Sequence, residues 1–475
     1  MPEQLEFEKK LEITKTNIPG LLILDLPVHG DNRGWFKENW QREKMMALGL
    51  PDLGPVQNNI SFNAEAGVTR GIHAEPWDKY ISVATGRIFG AWVDLREGET
   101  FGQAFTSEID PSKAIFVPRG VGNSFQALED NTAYTYLVND HWSAEAQSQY
   151  TFLNLGDSTV DIKWPIPLDQ ASLSDKDKAH SELADITPMK PKKIFVAGGY
   201  GQLGRALKAI LPDAEYVDRD TFDISDPRAY EGRNWGQYST IINAAAYTAV
   251  DTAETPEGRE TAWLANATAV QQLARVAIQN GITLVHVSSD YVFDGTQTPH
   301  AEDEPFSPLS VYGQSKAAGD IAAALVPGHY IARTSWVVGD GKNFIEIMRD
   351  RAGKDAPSSV VNDQMGRLTF AQDLAAGIKH LIDTRPEFGT YNLTNDGDVV
   401  SWADIAKLVY EKTGKSSDMV TGVSTADYYA GKEGIAPRPL GSELLLDKIK
   451  ATGLTLRDWR QALDEYLEEA NKENS

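Results

Sequence analysis

The chain of 475 residues contains no cysteine. This absence excludes disulfides, thiolate metal sites and a cysteine nucleophile, and it is compatible with a reducing compartment. No run of about 18 apolar residues occurs, so no membrane-spanning helix is predicted. The N-terminal stretch MPEQLEFEKKLEITK lacks the apolar core of a signal peptide. We therefore expect a cytoplasmic protein.

Basic residues are also scarce. Lysine and arginine number 45 against 68 aspartates and glutamates, which gives a formal net charge of −23. This excess argues against a general nucleic-acid or anionic-membrane partner, while a local phosphate pocket stays compatible. Apolar residues make up 41% of the chain and charged residues 24%, which is ordinary for a globular protein of two or three domains.

Two regions of the chain differ in the periodicity of their apolar residues. In residues 11–165, short β-rich runs such as YISVATGRIFGAWVDL and AYTYLV alternate with Gly, Pro, Asp and Asn, which favours a β sandwich or jelly roll. From Lys192, strand patterns such as KIFVAGG alternate with helical patterns such as TAVQQLARVAIQNG, which predicts a Rossmann-type parallel sheet with helices on both faces. We expect one domain over residues 1–185 and another over residues 186–475.

A glycine-rich turn opens the second region. The segment GGYGQLG places Gly198, Gly201 and Gly204 between a predicted strand and a predicted helix, where backbone N–H groups can reach a pyrophosphate. Asp218, 20 residues after Gly198, can bind a ribose 2′-hydroxyl, whereas Arg219 can pair with a 2′-phosphate, so NADH and NADPH both stay open. The predicted cofactor-binding residues are Gly198, Gly201, Gln202, Leu203, Gly204, Asp218, Arg219, Asp223, Ile224, Ala244, Ala245, Tyr312 and Lys316.

A possible catalytic group follows further along the second region. Tyr312 and Lys316 are four residues apart on a predicted helix, and an ammonium beside a phenol lowers the pKa of that phenol. Tyr312 is therefore a candidate general acid, and Ser289, at the end of a predicted strand, can hold a substrate carbonyl. A Tyr-x-x-x-Lys pair alone arises by chance, but its conjunction with the glycine turn and Ser289 favours a catalytic site.

Over about residues 192–470 the chain resembles extended short-chain dehydrogenase/reductases, and within them the dTDP-4-dehydrorhamnose reductases. The motifs are GGYGQLG, NAAAYTAVDTAE, SSDYVFDG, YGQSKAAGD, ARTSWVVG, NDQMGRLT and RPLGSELLLDKI. The resemblance implies that Tyr312 protonates the C4 oxygen while NAD(P)H delivers hydride to C4, and that Lys316 holds the nicotinamide ribose. We also expect a C-terminal substrate lobe, with Trp336 and Arg438 as substrate-binding residues, although a core role for Trp336 is equally open. Mg²⁺, which the family uses, maps onto no residue.

The segment RGIHAEPWDK in the first region contains a histidine and a lysine. A histidine can remove a proton next to a ketone, and a lysine can stabilise the resulting enolate. A lone histidine in a β domain is more often structural. No His, Asp and Glu cluster with metal-ligand spacing occurs there, so a metal-binding cupin is disfavoured and no metal ligand is predicted.

Over about residues 11–178 the chain resembles dTDP-4-dehydrorhamnose 3,5-epimerases, which are cupin-like jelly rolls. The motifs are GDNRGWFKE, VQNNISFN, GVTRGIH, VDLREGETFG, VPRGVGNSF and LSDKD. The resemblance implies that His73 is the base, Asp177 its dyad partner, Tyr136 the acid and Lys79 the enolate-side lysine. The implied substrate-binding residues are Arg33, Glu38, Gln57, Asn59, Arg70 and Asn123.

Asn123 departs from the epimerase pattern. It stands where that family usually has a second active-site histidine, and an asparagine side chain can hydrogen-bond but cannot exchange protons near neutral pH. The first region is therefore expected to epimerise, to epimerise slowly or at one carbon, or only to bind.

Together the two resemblances predict a bifunctional enzyme of dTDP-L-rhamnose synthesis that acts on dTDP-4-dehydro-6-deoxyglucose. We expect a homodimer formed through the β domain. Three alternatives stay open: a non-catalytic first region, a second region that epimerises with retained NAD⁺, and a dinucleotide-sensing regulator without turnover. His180 and His300 lack partner spacing and are predicted to be surface or capping residues.

Overall fold

The computed structural model describes residues 7–143 and 146–473, with side chains up to residue 470. Residues 1–6 of the predicted first domain and residues 474–475 of the predicted second domain lie outside the described residues. The chain divides between Pro191 and Lys192 into two compact units, here called the first and second unit. Among the described helices, none combines the length and the hydropathy that a bilayer crossing requires.

The first unit is built almost entirely of antiparallel strands. Its strands and helices are β1 (Glu12–Lys15), β2 (Leu22–Asp25), β3 (Val28–Asp31), β4 (Gly34–Lys37), α1 (Arg42–Ala47), β5 (Gln57–Asn63), β6 (Thr69–Ala74), β7 (Lys79–Thr85), β8 (Ile88–Asp94), β9 (Ala104–Ile109), β10 (Lys113–Val117), β11 (Val121–Ala127), β12 (Thr132–Val138), β13 (Thr151–Phe152) and α2 (Asp175–Lys178). They form a six-stranded sheet in the order β1-β2-β10-β7-β12-β5, a five-stranded sheet in the order β13-β6-β11-β8-β9, and the separate hairpin β3–β4.

Side chains from both sheets share one core, because strand residues alternate between faces. Ile81 of β7 and Tyr134 of β12 come from the six-stranded sheet, and Trp92 of β8 and Phe125 of β11 come from the other. Each of these four side chains is at most 3% exposed. The two sheets therefore pack as a sandwich, which confirms the predicted all-β, jelly-roll class.

The second unit alternates strands and helices. Its elements are β14 (Lys193–Ala197), α3 (Gln202–Ile210), β15 (Glu215–Val217), β16 (Tyr238–Asn243), α4 (Pro256–Trp263), α5 (Ala269–Asn280), β17 (Thr283–Ser289), α6 (Val311–Ala323), β18 (His329–Thr334), β19 (Val337–Val338), α7 (Phe344–Gly353), β20 (Ser358–Val361), β21 (Met365–Gly366), β22 (Thr369–Phe370), α8 (Ala371–Thr384), β23 (Gly389–Asn392), β24 (Val400–Ser401), α9 (Trp402–Lys412), β25 (Val420–Val423), α10 (Thr425–Tyr429), α11 (Asp447–Ala451) and α12 (Trp459–Glu473).

Six parallel strands form the main sheet of the second unit, in the order β15-β14-β16-β17-β18-β23. Phe195 of β14 packs with α5 on one face, and its neighbour Val196 packs with α3 and α8 on the other. Helices thus cover both faces, which confirms the predicted Rossmann-type sheet. The strand order reverses between β14 and β16, and ligands of such sheets bind outside the carboxyl ends of the strands at that point.

A further core lies in the C-terminal part of the second unit. It joins α7, α9 and α12 around buried residues such as Ile405, Val409 and Trp459. His300, predicted to be a surface or capping residue, is fully buried, stacks on Phe293 at 4.4 Å and bonds the Glu304 carboxylate through Nδ1 at 2.9 Å. That prediction is wrong. Glu304 follows His300 by four residues, but no helical pattern in the sequence indicates that the two side chains meet.

Candidate active sites

A cavity of about 240 Å³ opens in the first unit. Strands of both sheets contribute to its wall, which is lined by Ser61, Arg70, Gly71, His73, Glu75, Lys79, Asn123, Phe125, Tyr134 and Tyr136. Five of the residues predicted from the sequence therefore meet here: Arg70, His73, Lys79, Asn123 and Tyr136. The cavity is the candidate active site of the first unit.

His73 and Asp177 form a dyad at this cavity. His73 lies on β6, Asp177 lies on α2, and His73 Nε2 is 3.0 Å from Asp177 Oδ1. The Asp177 backbone N–H is capped by Ser174 Oγ at 3.0 Å, which fixes the start of α2. We assign the proton of the neutral ring to Nε2, since that atom faces the carboxylate, and Nδ1 then keeps the lone pair of a base.

The electrostatics of the dyad keep Asp177 ionised. Burial opposes ionisation of this carboxyl and is the largest influence, but His73, the hydrogen bond from Ser174 and the nearby His180 together outweigh it and hold the pKa of Asp177 below its usual value. An ionised Asp177 stabilises the imidazolium that His73 becomes after accepting a proton. The dyad is therefore suited to proton abstraction.

Lys79 and Tyr136 face each other in the cavity. The ammonium of Lys79 is 5.5 Å from the centre of the Tyr136 ring. It also forms an ion pair with Glu75, which precedes it by four residues. Burial raises the pKa of Tyr136 to about 12, and the charge of Glu75 adds to this effect. Tyr136 is therefore protonated near neutral pH and able to donate. Glu75 is a site residue that was not predicted from the sequence.

Asn123 is held rigidly opposite His73. The two residues pair directly between β11 and β6. Asn123 Oδ1 accepts from Trp92 Nε1 at 2.9 Å, and its Nδ2 donates to the Tyr134 hydroxyl at 3.0 Å. Both polar ends of the amide are thus used by aromatic neighbours. Asn123 contributes a polar wall rather than a proton carrier.

Several predicted contacts of the first unit do not line the cavity. Arg33 is 84% exposed on the β3–β4 hairpin and pairs with Asp31, and Glu38 pairs with Lys44 at 2.6 Å. Gln57 Nε2 donates to Asn59 Oδ1 at 2.9 Å on β5. The residues that line the cavity do not include these four predicted residues, Arg33, Glu38, Gln57 and Asn59.

His180 lies at the dyad instead of at the surface. Its side chain is only 7% exposed, and its Nε2 is 3.8 Å from Asp177 Oδ1. Its ring centre is 5.4 Å from that of His73 and 4.9 Å from that of Phe152, on which it stacks. The predicted surface or capping role is therefore wrong. The fold brings these two histidines together from sequence positions 107 residues apart, which no local pattern reveals.

The glycine turn of the second unit connects β14 to α3. Gly198 has φ +84°, and a Cβ there would lie 2.7 Å from the Ala245 backbone nitrogen. A Cβ on Gly204 would lie 2.2 Å from the Gly198 carbonyl oxygen, so helix and turn approach closely only with glycine. Residue 201 provides no side-chain cap, and the first N–H groups of α3 face the turn. This cradle fits a pyrophosphate.

The predicted nucleotide contacts follow the ends of β15 and β16. Asp218 Oδ1 accepts from the Thr221 hydroxyl at 2.8 Å, so its carboxylate is partly used by its own loop. Arg219 is 81% exposed and lies 3.5 Å from Asp223 Oδ2. The Ile224 side chain is buried in the core, which leaves only its backbone for a ligand. Ala244 and Ala245 follow β16, beside Gly198.

Ser289, Tyr312 and Lys316 come together at the carboxyl end of the sheet. Ser289 ends β17, and the two others lie on the buried face of α6. Ser289 acts on the pKa of Tyr312, and the Ser289 hydroxyl donates to Asp290 Oδ1 at 2.9 Å. Lys316 Nζ donates to the Val287 carbonyl at 2.7 Å.

Burial controls the ionisation of these groups. It lowers the pKa of Lys316 to about 8, although Asp320 opposes this. It raises the pKa of Tyr312 to about 12, and the hydrogen bond to Ser289 opposes this. The predicted lowering of the Tyr312 pKa by Lys316 is therefore wrong for this structure. Tyr312 is protonated near neutral pH, which is the form that a general acid needs.

Trp336 and Arg438 are the predicted substrate contacts of the second unit. The Trp336 ring stacks on Trp402 with 3.9 Å between centres, which gives it a packing role within the C-terminal core. Arg438 pairs with Asp251 at 2.8 Å, and its charge acts on Tyr291, whose ring packs edge-on to Tyr312 at 5.4 Å.

Comparisons with known proteins agree with this division. Residues 15–185 match the family model described as dTDP-4-dehydrorhamnose 3,5-epimerase, and residues 192–472 match the RmlD substrate binding domain. The chain belongs to both families. It therefore carries an RmlC-type epimerase domain followed by an RmlD-type reductase domain, as the sequence predicted.

Individual relatives cover one domain each. An RmlC homologue of Streptococcus pyogenes is 52% identical over 194 residues, which are 40% of this chain and 98% of that protein. A dTDP-4-dehydrorhamnose reductase of Mycobacterium tuberculosis is 37% identical over 287 residues, which are 58% of this chain and 92% of that protein. A crystal structure of the Bacillus anthracis dTDP-4-dehydrorhamnose reductase with NADP is 30% identical with a TM-score of 0.52, and the match covers 59% of this chain and 98% of that one.

Proposed function

We propose that this chain catalyses two successive steps on one nucleotide sugar. Residues 1–185 epimerise dTDP-4-dehydro-6-deoxyglucose at C3 and C5, and residues 186–475 reduce the C4 ketone to give dTDP-L-rhamnose. The observation that carries the proposal is the presence, in one chain, of the His73–Asp177 dyad at a cavity and the Ser289–Tyr312–Lys316 group at a sheet edge. We assign both steps to the cytoplasm, where NAD(P)H is supplied and a chain without cysteine needs no oxidising compartment.

Epimerisation uses the acidity of protons next to the ketone. His73 Nδ1 removes such a proton, and the ionised Asp177 stabilises the imidazolium. Lys79 stabilises the enolate oxygen, which is its predicted role and is supported by its place in the cavity wall. Tyr136, protonated at neutral pH, returns a proton from the other side of the ring and thereby inverts the carbon.

Reduction needs a hydride, which NAD(P)H supplies when bound. The turn with Gly198, Gly201 and Gly204 and the start of α3 would hold its pyrophosphate. Ser289 holds the ketone oxygen by its hydroxyl, and Tyr312 donates the proton that completes the alcohol. Lys316 supplies a positive charge beneath this site and would bind the ribose hydroxyls. We propose that Arg219 allows NADPH as well as NADH.

The residues present do not fit Mg²⁺. Within residues 7–143 and 146–473, the group of three side chains with metal-ligand spacing is His73, Asp177 and His180. Two imidazoles and one carboxylate differ from the oxygen ligands that Mg²⁺ requires. No step of the mechanism uses this ion.

We further propose that the first unit forms a homodimer. Large apolar side chains are exposed on the β3–β4 hairpin and on the edge strand β5, namely Trp35, Phe36, Ile60 and Phe62. An edge strand with exposed apolar side chains is a ready surface for a second copy. Phe62→Asp is expected to shift the sedimentation of the chain from dimer to monomer; a wild-type monomer would contradict this proposal.

Proton exchange with heavy water tests the catalytic role of the first unit. In a Tyr312→Phe variant the ketone persists, so an active first unit is expected to introduce deuterium at C3 and C5. No deuterium uptake would instead identify the first unit as a binding or dimerising module, the alternative that Asn123 raises. Oxidation of added NAD(P)H by the keto-sugar in the unsubstituted chain tests the second unit and excludes an epimerase with retained NAD⁺.

A further inference from the structure

Three potential metal ligands converge beside the first-unit cavity. His73, Asp177 and His180 each offer one ligand atom, and these three atoms lie within 4.8 Å of one another. Both imidazoles approach the same carboxylate oxygen, Asp177 Oδ1, with His73 Nε2 at 3.0 Å and His180 Nε2 at 3.8 Å. The proposed epimerase mechanism uses the first two residues and leaves His180 without a role.

His180 gives an independent sign that a ligand is missing. Its side chain is 7% exposed, and neither ring nitrogen has hydrogen-bond geometry to any residue that the structure describes. A buried polar group without a partner is unfavourable and calls for an explanation. The Phe152 ring stacks against the His180 ring and fixes its plane.

We propose that His73, Asp177 and His180 bind a divalent transition-metal ion such as Zn²⁺, and that the bound ion switches off the first unit. Two imidazoles and one carboxylate are ligands that Zn²⁺ uses, at about 2.0–2.2 Å each, with a further position open to water. His73 is 33% exposed and lines the cavity, which provides the path of entry and the space for the open position.

The inhibitory effect follows from the two nitrogens of one imidazole. Neutral His73 carries its proton on Nε2, toward Asp177, and its lone pair on Nδ1. Coordination needs the lone pair of Nε2, so the ring proton moves to Nδ1 through solvent. Nδ1–H has no lone pair and cannot act as a base. This effect rests on the proposed epimerase function, whereas binding of the ion does not.

Two readouts separate binding from its effect in the full chain. Titration with Co²⁺ is expected to produce visible absorption bands that saturate at one bound ion per chain. Addition of Zn²⁺ should displace the Co²⁺ and remove these bands. Zn²⁺ is expected to stop deuterium uptake by the keto-sugar reversibly, with recovery after EDTA. Oxidation of NAD(P)H with dTDP-4-dehydrorhamnose should continue unchanged in the same samples, and Mg²⁺ at the same concentration should have no effect.

His180→Asn is the decisive variant, since it leaves both dyad residues in place. It is expected to weaken Co²⁺ binding by more than about 100-fold, because loss of even an outer partner of a metal ligand costs about 10- to 100-fold. His141→Asn, at an exposed histidine, is the matched control and should bind like the unsubstituted chain.

Each alternative result has a distinct meaning. No Co²⁺ bands, unchanged affinity in His180→Asn, or equal inhibition of both activities by Zn²⁺ would overturn the metal site. Normal Co²⁺ binding together with no deuterium uptake in the metal-free chain would support the site and refute the epimerase function. The spectroscopic readout does not depend on the activity of the variant.

Discussion

The two units assemble their reacting groups in different ways. In the second unit, Tyr312 and Lys316 follow one another along α6, and Ser289 ends the strand beneath them. In the first unit, His73 and Asp177 are 104 residues apart and meet only because α2 closes against β6. Residues of one helix and one strand end form the site of the second unit. The site of the first unit forms only when distant parts of the folded β sandwich come together.

Their electrostatics differ as well. In the first unit hydrogen bonds and neighbouring side chains outweigh burial, since together they hold the pKa of Asp177 below its usual value. In the second unit burial dominates, since it lowers the pKa of Lys316 and raises that of Tyr312. The first site therefore stabilises the imidazolium that forms on His73. The second site keeps Tyr312 protonated and makes it easier for the Lys316 ammonium to lose its proton.

The largest expected effect comes from replacing the general base of the first unit, which should leave the second unit active. His73→Asn is expected to slow deuterium uptake at C3 and C5 by about 10³-fold, because general bases contribute about 10²- to 10⁴-fold. Reduction of dTDP-4-dehydrorhamnose should be unchanged. NMR of the recovered sugar measures the exchange, and His141→Asn is the control at an exposed histidine. Equal loss of both activities would show that the units are not independent.

The converse variant acts on the second unit. Tyr312→Phe is expected to lower kcat for NAD(P)H oxidation by about 10²- to 10³-fold, equivalent to about 3–4 kcal/mol, while deuterium uptake persists. Tyr391→Phe is a suitable control, since the Tyr391 hydroxyl, on the edge strand β23, donates to the Glu387 carbonyl and does not belong to the proposed site. A Tyr312→Phe enzyme with wild-type kcat would remove this residue from the mechanism.

The pH dependence should distinguish the units by a smaller factor. Because the folded pKa of Lys316 is lowered to about 8, its ammonium is present below pH 8 and is lost as pH rises through that value. Reduction is expected to fall about tenfold per pH unit above 8. Deuterium uptake, which does not use Lys316, should lack this midpoint. Lys316→Arg should remove the alkaline decline, whatever its absolute rate; an unchanged decline would assign it to another group.

The smallest expected effect concerns the choice between NADPH and NADH as hydride donor. Arg219→Ala is expected to raise KM for NADPH about fivefold and to leave KM for NADH unchanged, because an exposed guanidinium contributes about 1 kcal/mol to binding a phosphate. Arg228→Ala, at an arginine that is 83% exposed and paired with Asp226, is the matched control. Equal changes for both donors would show that Arg219 does not contact a 2′-phosphate.

The same contrast explains what could be predicted from the sequence. Alternation and glycine placement predicted both fold classes and the turn at Gly198, because these patterns reflect local backbone geometry and face-by-face burial. The His73–Asp177 pair was predicted only through resemblance, since no spacing rule joins residues so far apart. His180 was missed for that reason. Glu75 was missed because a spacing of four residues predicts a contact only within a helix, and Glu75 and Lys79 lie where two strands are joined. The direction of the Tyr312 pKa was wrong because burial, which decides it, is a property of packing.

One labelling experiment follows both steps in a single product. The unsubstituted chain is given dTDP-4-dehydro-6-deoxyglucose and unlabelled NAD(P)H in heavy water, and the product is examined by NMR and mass spectrometry. The two-step mechanism requires dTDP-L-rhamnose with deuterium at C3 and C5 and ordinary hydrogen at C4. A reduced sugar without deuterium at C3 and C5, or the return of the unreduced keto-sugar, would contradict it.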